Sequence, residues 1–403
     1  MKVDTMRFID KYAGIPLCFF GTVIQKIFMR RKKGVKPKRI LFIELSEMGS
    51  AILADPAMEK AKKVFGAELY FLIFKKNKPS LDLLKTVPEE NIFTIDADGM
   101  GSLIADTFKF LIWARKKKID TVIDLELFSR YSGLLAGFCG ADNIATFNNF
   151  HGEGLYKGGM VTHKIQYSPH HHIAKNFIAM VNALAADKNE TPYSKQKISD
   201  SEIILKKAVI DENKRNSVAE KIKKVFNDYK TGDKLILINP NASELLPQRR
   251  WSMEKYGALI GRLLDKYDDA KILITGAPSE KNEALKLEAL GGNPRRCKSF
   301  AGMLKLDELT ALYDLSIIMV SNDSGPAHFA SVTDMPTVVI FGPETPALYK
   351  SLGKTRPVYA ALACSPCVSA ANHRKTPCSD NVCLQVIEVD EVAQAVEEMI
   401  SGQ

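Results

Sequence analysis

Residues 317–342, IIMVSNDSGPAHFASVTDMPTVVIFG, read as a strand, a tight turn, a short helix and a second strand. The turn Asn322-Asp323-Ser324-Gly325 ends a β-branched run, and Pro326 follows at a first helical position, where no N–H is lost. Backbone N–H groups at the positive end of a helix suit a phosphate. Gly325 lets backbone approach a ligand closely, and His328 falls in the first helical turn, within reach of an oxygen. An ordinary strand-to-helix turn of a parallel sheet fits the same spacing.

Outward from this stretch, apolar runs alternate with helical patterns. Ile40–Leu45, Leu69–Phe74, Ile92–Ile95 and Thr121–Leu125 form one set of expected strands. After a polar stretch from about Ala186 to Lys234, a second set follows at Leu235–Ile238, Ile272–Thr275, Ile317–Ser321 and Thr337–Phe341. Such alternation implies parallel sheets. Ser252 is placed as the N-cap of a helix whose Tyr256, Leu259, Ile260, Leu263 and Leu264 keep the 3.6-residue period, and Asp390 similarly opens a C-terminal helix. The fold class is therefore α/β, with two doubly wound domains facing each other across a cleft and ligands at the carboxyl ends of the strands. Gly99-Met100-Gly101 does not follow a strand in the dinucleotide arrangement, which argues against a nicotinamide or flavin site.

The 403 residues, 46% hydrophobic and 26% charged, suffice for two cores and exclude a disordered chain. Net charge is +9, but seven basic residues lie between Arg30 and Arg39, so a uniform nucleic-acid-binding surface is not indicated. Residues 1–37 stand apart. Ala13–Phe28 is apolar yet interrupted by Pro16, Gly21 and Lys26, short for a membrane span and unlike a cleaved signal peptide. The segment reads as lying in a membrane interface, its basic residues drawn to anionic lipid; a helix packed on the domain surface with a solvated tail is the alternative. Four of the seven cysteines, Cys364, Cys367, Cys378 and Cys383, have the spacing of a small structural zinc knuckle, with a disulfide pair or free thiols as the other readings.

Four segments carry a resemblance: KRILFIELSEMGSAILADPAM (38–58), LINPNASELLPQRRWSMEKYGALI (237–260), ILITGAPSEKNEA (272–284) and NDSGPAHFASVTDMPTVVIFGPETP (322–346). In order and spacing the chain resembles the family-nine glycosyltransferases, the bacterial heptosyltransferases of lipopolysaccharide synthesis. The resemblance implies a GT-B fold of two Rossmann-like domains, an acceptor domain at 38–205 and a nucleotide-sugar domain at 206–403 that includes the cysteine-rich loop 364–383. It also implies donor contacts at Asp323, Ser324, Gly325 and His328, with Ala242 and Ser243 near a phosphate. Arg249 is then a basic residue for the phosphates, Glu280 an acidic one for the ribose, and Leu304 a neighbour of the base.

The family's first strand ends in a Met-Gly-Asp turn whose aspartate is the proposed general base, whereas this chain reads Met48-Gly49-Ser50. A serine hydroxyl is too weak a base near neutral pH. Glu47, on the same turn, is the nearest substitute, and Glu126 after TVIDL is the second candidate. Residues 148–172 hold five of the seven histidines and suit a surface for a phosphorylated sugar, a metal site at His170, His171 and His172, or a solvated loop. The resemblance implies inverting transfer that needs no metal cofactor, from a nucleotide-diphosphate sugar, ADP-heptose before a UDP- or GDP-sugar, to a lipid-linked saccharide. The expected location is cytoplasmic, peripheral on the inner face of the cytoplasmic membrane; a non-catalytic nucleotide-sugar-binding relative is the rival class.

Overall fold

In the computed structural model the chain forms two compact units, Met1–Ile204 and Leu205–Gln403. The structure describes residues 3–29, 31–127, 129–148, 156–186, 195–243, 245–369, 372 and 374–402. Each unit is built on one six-stranded sheet. The first contains β1 (Arg39–Ile43), β2 (Glu68–Phe74), β3 (Ile92–Ile95), β4 (Thr121–Asp124), β5 (Asn143–Phe147) and β6 (His163–Ile165). The second contains β7 (Lys234–Asn239), β8 (Ala270–Ile274), β9 (Cys297–Ser299), β10 (Ile318–Asn322), β11 (Thr337–Phe341) and β12 (Thr355–Tyr359).

The sheet orders are β3-β2-β1-β4-β5-β6 and β12-β11-β10-β7-β8-β9. Counted from the first strand of each unit these are the same order, 3-2-1-4-5-6, and every pairing is parallel. Such a sheet has a point where the winding reverses, between its first and fourth strands. Here that point lies between β1 and β4, with Ile40 opposite Thr121, and between β7 and β10, with Ile236 opposite Ile318. Loops leaving the carboxyl ends of those strands diverge and open a crevice for polar groups.

Both faces of a parallel sheet are covered, so its central strands are continuous apolar runs rather than alternating ones. Leu41, Ile43, Leu72, Val122 and Ile144 pack with Phe110 in the first core. Ile236, Ile238, Ile272, Ile274, Val320 and Ile340 pack with Tyr256, Leu259 and Val396 in the second. The Ser252 side chain caps the helix Met253–Lys266, accepting from Lys255 N–H at 3.2 Å. Asp390 does not open the last helix: Val389–Ser401 is preceded by Glu388, and Asp390 lies within its first turn, paired with Arg262. The central strand runs shift by a residue or two at their ends. β5, β6, β9 and β12 add strands that the apolar runs do not mark.

Candidate functional site

At the β7/β10 reversal three loops meet. Asn322, the last residue of β10, is fully buried and ties them together. Its Oδ1 accepts from Trp251 N–H at 3.1 Å and from the Tyr256 hydroxyl at 3.0 Å, while its Nδ2 donates to Pro240 O at 2.6 Å. Its amide is thus consumed in holding the loop after β7 against the turn after β10. Asp323 follows, 4% exposed. Arg249, on a short 3-10 turn Pro247–Arg249, donates from Nη1 to Asp323 O at 3.2 Å and lies 3.5 Å from its Oδ2.

The same Arg249 Nη1 is 3.7 Å from Glu344 Oε2, on the loop leaving β11. Arg374 Nε approaches the other oxygen of Glu344 at 3.3 Å, and its guanidinium lies 5.4 Å from the centre of the Tyr349 ring. Two arginines and two buried carboxylates therefore share one cluster. Burial is the main cause that pushes the Glu344 carboxyl up, to about 7; Asp323 adds to this, while Arg374 and Arg249 oppose it. Arg249 Nε is buried with no hydrogen-bond partner among the described residues.

Ser324 is extended, and the helix Gly325–Ala330 starts directly after it, with His328 buried on its first turn. Gly325 has no internal reason to be glycine: a Cβ there would make only ordinary contact, 3.5 Å from the Phe329 ring. Gly276, by contrast, is crowded, since a Cβ would sit 2.9 Å from Asn241 Nδ2 and 3.0 Å from Glu280 Oε2. Glu280 accepts from Ala277 N–H at 2.6 Å, and Gly302 N–H donates to Gly276 O at 2.9 Å, which brings the half-buried Leu304 segment beside the Glu280 turn. Ser243 is exposed, its Oγ accepting from Leu245 N–H at 3.2 Å, and Arg250 Nη2 holds Ala242 O at 2.8 Å.

At the β1/β4 reversal the charge is acidic. Glu47 precedes the helix Met48–Leu53, so Met48, Gly49 and Ser50 form its first turn rather than an open loop. Ser50 Oγ donates to Glu47 Oε2 at 3.1 Å and so orients the neighbouring carboxylate. Glu126 Oε1 accepts from Leu45 N–H at 2.8 Å, Ser46 N–H at 3.0 Å and Ser46 Oγ at 2.8 Å, binding the end of β4 to the end of β1. Burial raises the Glu126 carboxyl above its ordinary range; the Ser46 and Leu45 donors pull it down, and the charges of Asp124 and Glu47 push it up. Lys157, 1% exposed, donates to Asp124 Oδ2 at 2.7 Å, Thr146 Oγ1 at 2.9 Å and the carbonyl of Glu126. Glu47 and Glu126 are thus within each other's electrostatic reach.

The cysteine and histidine readings gain no metal centre, because among the described residues no three His, Cys, Asp or Glu side chains group as ligands. Cys364, Cys367, Cys378 and Cys383 are free thiols, with Cys378 donating to Asp380 Oδ1 at 3.2 Å. Burial and the other three cysteines push Cys383 up to about 11. His172 accepts from Ala174 N–H at 3.2 Å as the cap of the helix Ile173–Ala185; residues 149–155 of the histidine-rich segment lie outside the described residues. The sequence reading missed Glu344, Arg374 and Lys157, and it named Asn322 only as the start of the turn, not as the residue that ties the loops. Glu344 stands within the quoted GPETP segment, and Lys157 within the histidine-rich one, so both lay in stretches already marked.

Two Rossmann-like units of identical strand order are the two domains of a GT-B fold. Residues 113–376, more than half of the chain, match the model of "Glycosyltransferase family 9 (heptosyltransferase)". The chain belongs to that family and is a glycosyltransferase. It is 23% identical over 377 residues to lipopolysaccharide heptosyltransferase 1 of Campylobacter coli, covering 91% of this chain and 100% of the relative. Its fold is similar to that of E. coli ADP-heptose lps heptosyltransferase II, with a TM-score of 0.69 at 18% identity over 90% of this chain and 99% of the other. It is also similar to E. coli heptosyltransferase WaaC solved with ADP, with a TM-score of 0.62 at 16% identity over 90% and 99%.

Proposed function

We propose that this protein transfers a heptose, with inversion, from ADP-heptose to a lipid-linked saccharide of the lipopolysaccharide type, on the cytoplasmic face of the membrane. The observation that carries the reading is Arg249, a guanidinium held at the β7/β10 reversal by Asp323 and Glu344 and still partly exposed. A diphosphate is the ligand such a group recognises, since its oxygens accept two parallel N–H bonds. Gly325 supports this, because neither its backbone nor its packing calls for glycine unless a ligand approaches. Asp323, Ser324, His328, Ser243 and Ala242 complete the phosphate side, Glu280 the ribose side and Leu304 the base side.

In the reaction the acceptor hydroxyl oxygen bonds to the anomeric carbon as the bond from that carbon to the diphosphate oxygen breaks. Glu47 takes the hydroxyl proton, and Ser50 holds its carboxylate in place. Glu126 is a positioning residue: with one oxygen committed to three donors, it fixes the turn that carries Glu47. Arg249 and Arg374 offset the charge that builds on departing ADP, so that no metal ion is needed. The four cysteines stay structural.

Calorimetric titration with ADP, UDP, GDP and their sugar conjugates tests the donor. ADP-heptose binding tightest supports the reading; preference for a UDP- or GDP-sugar moves the donor assignment, and binding of none overturns it.

A further inference from the structure

The helix Gly14–Phe28 touches its unit along one narrow stripe. Its buried residues are Gly14, Cys18, Gly21 and Gln25, which share a single face at helical spacing. Small residues permit a close approach there. A Cβ on Gly14 would lie 2.8 Å from the Arg130 side chain, and one on Gly21 would lie 3.1 Å from the Phe138 ring. Thr22 Oγ1 accepts from Gly159 N–H at 2.8 Å, and Arg31 reaches the carbonyl of Gly137 at 3.4 Å.

The remaining arc is apolar and exposed. Phe19, Phe20, Val23, Ile24, Ile27 and Phe28 all face outward, with Phe20 60%, Ile27 65% and Phe28 77% exposed. The preceding helix Val3–Tyr12 adds Phe8 and Tyr12. Apart from Lys26 the exposed arc is apolar, and such an arc belongs against an apolar phase, of which protein here supplies only one stripe. Fifteen residues rise about 22 Å, less than the roughly 30 Å of a hydrocarbon core, and no described helix is long and apolar enough to cross a membrane. Directly after it come the exposed Lys32, Lys33, Lys36 and Lys38.

We propose that this pair of helices is a bilayer-docking platform: the aromatic face of Gly14–Phe28 enters the boundary between headgroups and acyl chains, and the lysines engage anionic headgroups. Charge selects lipid over a second copy of the chain, because anionic lipid complements the lysines and a second copy repeats them. The platform is also fixed to the acceptor side. Asp10 accepts from Arg130 N–H and Tyr131 N–H, each at 2.9 Å, and so caps the helix Arg130–Phe138 that starts four residues after Glu126. A lipid-embedded acceptor would thereby be met at the end of the unit that carries the carboxylates; this last point rests on the proposed function, whereas the docking does not.

Flotation of the full chain with vesicles of phosphatidylcholine, alone or mixed with phosphatidylglycerol, tests the platform. The wild type is expected to float with the mixed vesicles, the triple variant F19S/F20S/I27S to bind roughly a hundredfold more weakly, and K32E/K33E/K36E to lose the preference for phosphatidylglycerol. Unchanged circular dichroism and thermal melting establish that the variants are folded. As a second readout, tryptophan emission of Phe20→Trp is expected to shift to the blue with vesicles. Flotation of the apolar triple variant equal to wild type, no flotation of wild type, or a wild-type dimer that the triple variant dissolves without vesicle binding would each overturn the proposal. None of these readouts needs sugar transfer, so a wrong donor or acceptor leaves them standing, and failed flotation leaves the donor titration to judge the reaction.

Discussion

The two winding reversals share a backbone plan and differ in what their loops bring to it. At β1/β4, Glu47 and Glu126 stand beside Asp124, and the cation of that site, Lys157, is spent inside on Asp124. At β7/β10, Arg249 and Arg374 interleave with Asp323 and Glu344, so opposite charges alternate within one cluster. On the proposed function, the first crevice removes a proton and the second receives an anion. Identical topology thus sets where chemistry happens, while a few loop residues set which chemistry it is.

The largest expected effect breaks the acidic side. Glu47→Gln should lower turnover by about 100- to 10,000-fold, the usual contribution of a positioned general base, with ADP affinity unchanged. Equal losses in turnover and affinity, measured by transfer assay and calorimetry, would remove Glu47 from that role. On the basic side, Arg249→Ala should weaken ADP binding by about 1.5–3 kcal/mol, the range for hydrogen bonds to charged groups.

Asn322 asks whether the basic crevice depends on the scaffold beneath it. Asn322→Ala removes three buried hydrogen bonds, and a loss of about 2–3 kcal/mol in unfolding free energy is expected from denaturant titration. Glu344 makes a pH test. Its carboxyl is raised in the folded state from 4.5 to about 7, so between those values the unfolded chain has released a proton that the folded chain retains. Stability therefore falls as pH rises through that window and levels off above it. Glu344→Gln should flatten the window in thermal melts across pH; an unaltered slope would mean that another group sets it. Smallest is Ser50→Ala, expected to reduce kcat only severalfold while KM for the donor stays fixed, because Ser50 orients Glu47 without touching substrate.

How legible the molecule was in its sequence followed from what each element had to bury. β1, β2, β4, β7, β8, β10 and β11 sit inside the sheets and read as runs because both their faces are buried, whereas β5, also inside, reads NIATF, its apolar residues broken by Asn143 and Thr146. β6 and β9 span three residues each, and β12 reads TRPVY with a proline at the sheet edge, where a missing N–H costs nothing. The turn Asp323-Ser324-Gly325 was legible as a strand-to-helix turn because it ends an apolar strand run and is followed by Pro326 at the helix start. Glu344 and Arg374 were not, since their place depends on loops from β11 and from after β12 converging on Arg249, 125 positions before Arg374 in the chain. Asp10 was hidden for the same reason, capping a helix 120 residues away.

The division of labour between the two reversals is tested most directly by titrating ADP calorimetrically into the wild type, Glu47→Gln and Arg249→Ala. Wild-type affinity in Glu47→Gln together with a loss of at least tenfold, about 1.4 kcal/mol, in Arg249→Ala is the expected pair of results. Comparable weakening by both substitutions, or none by Arg249→Ala, would contradict it.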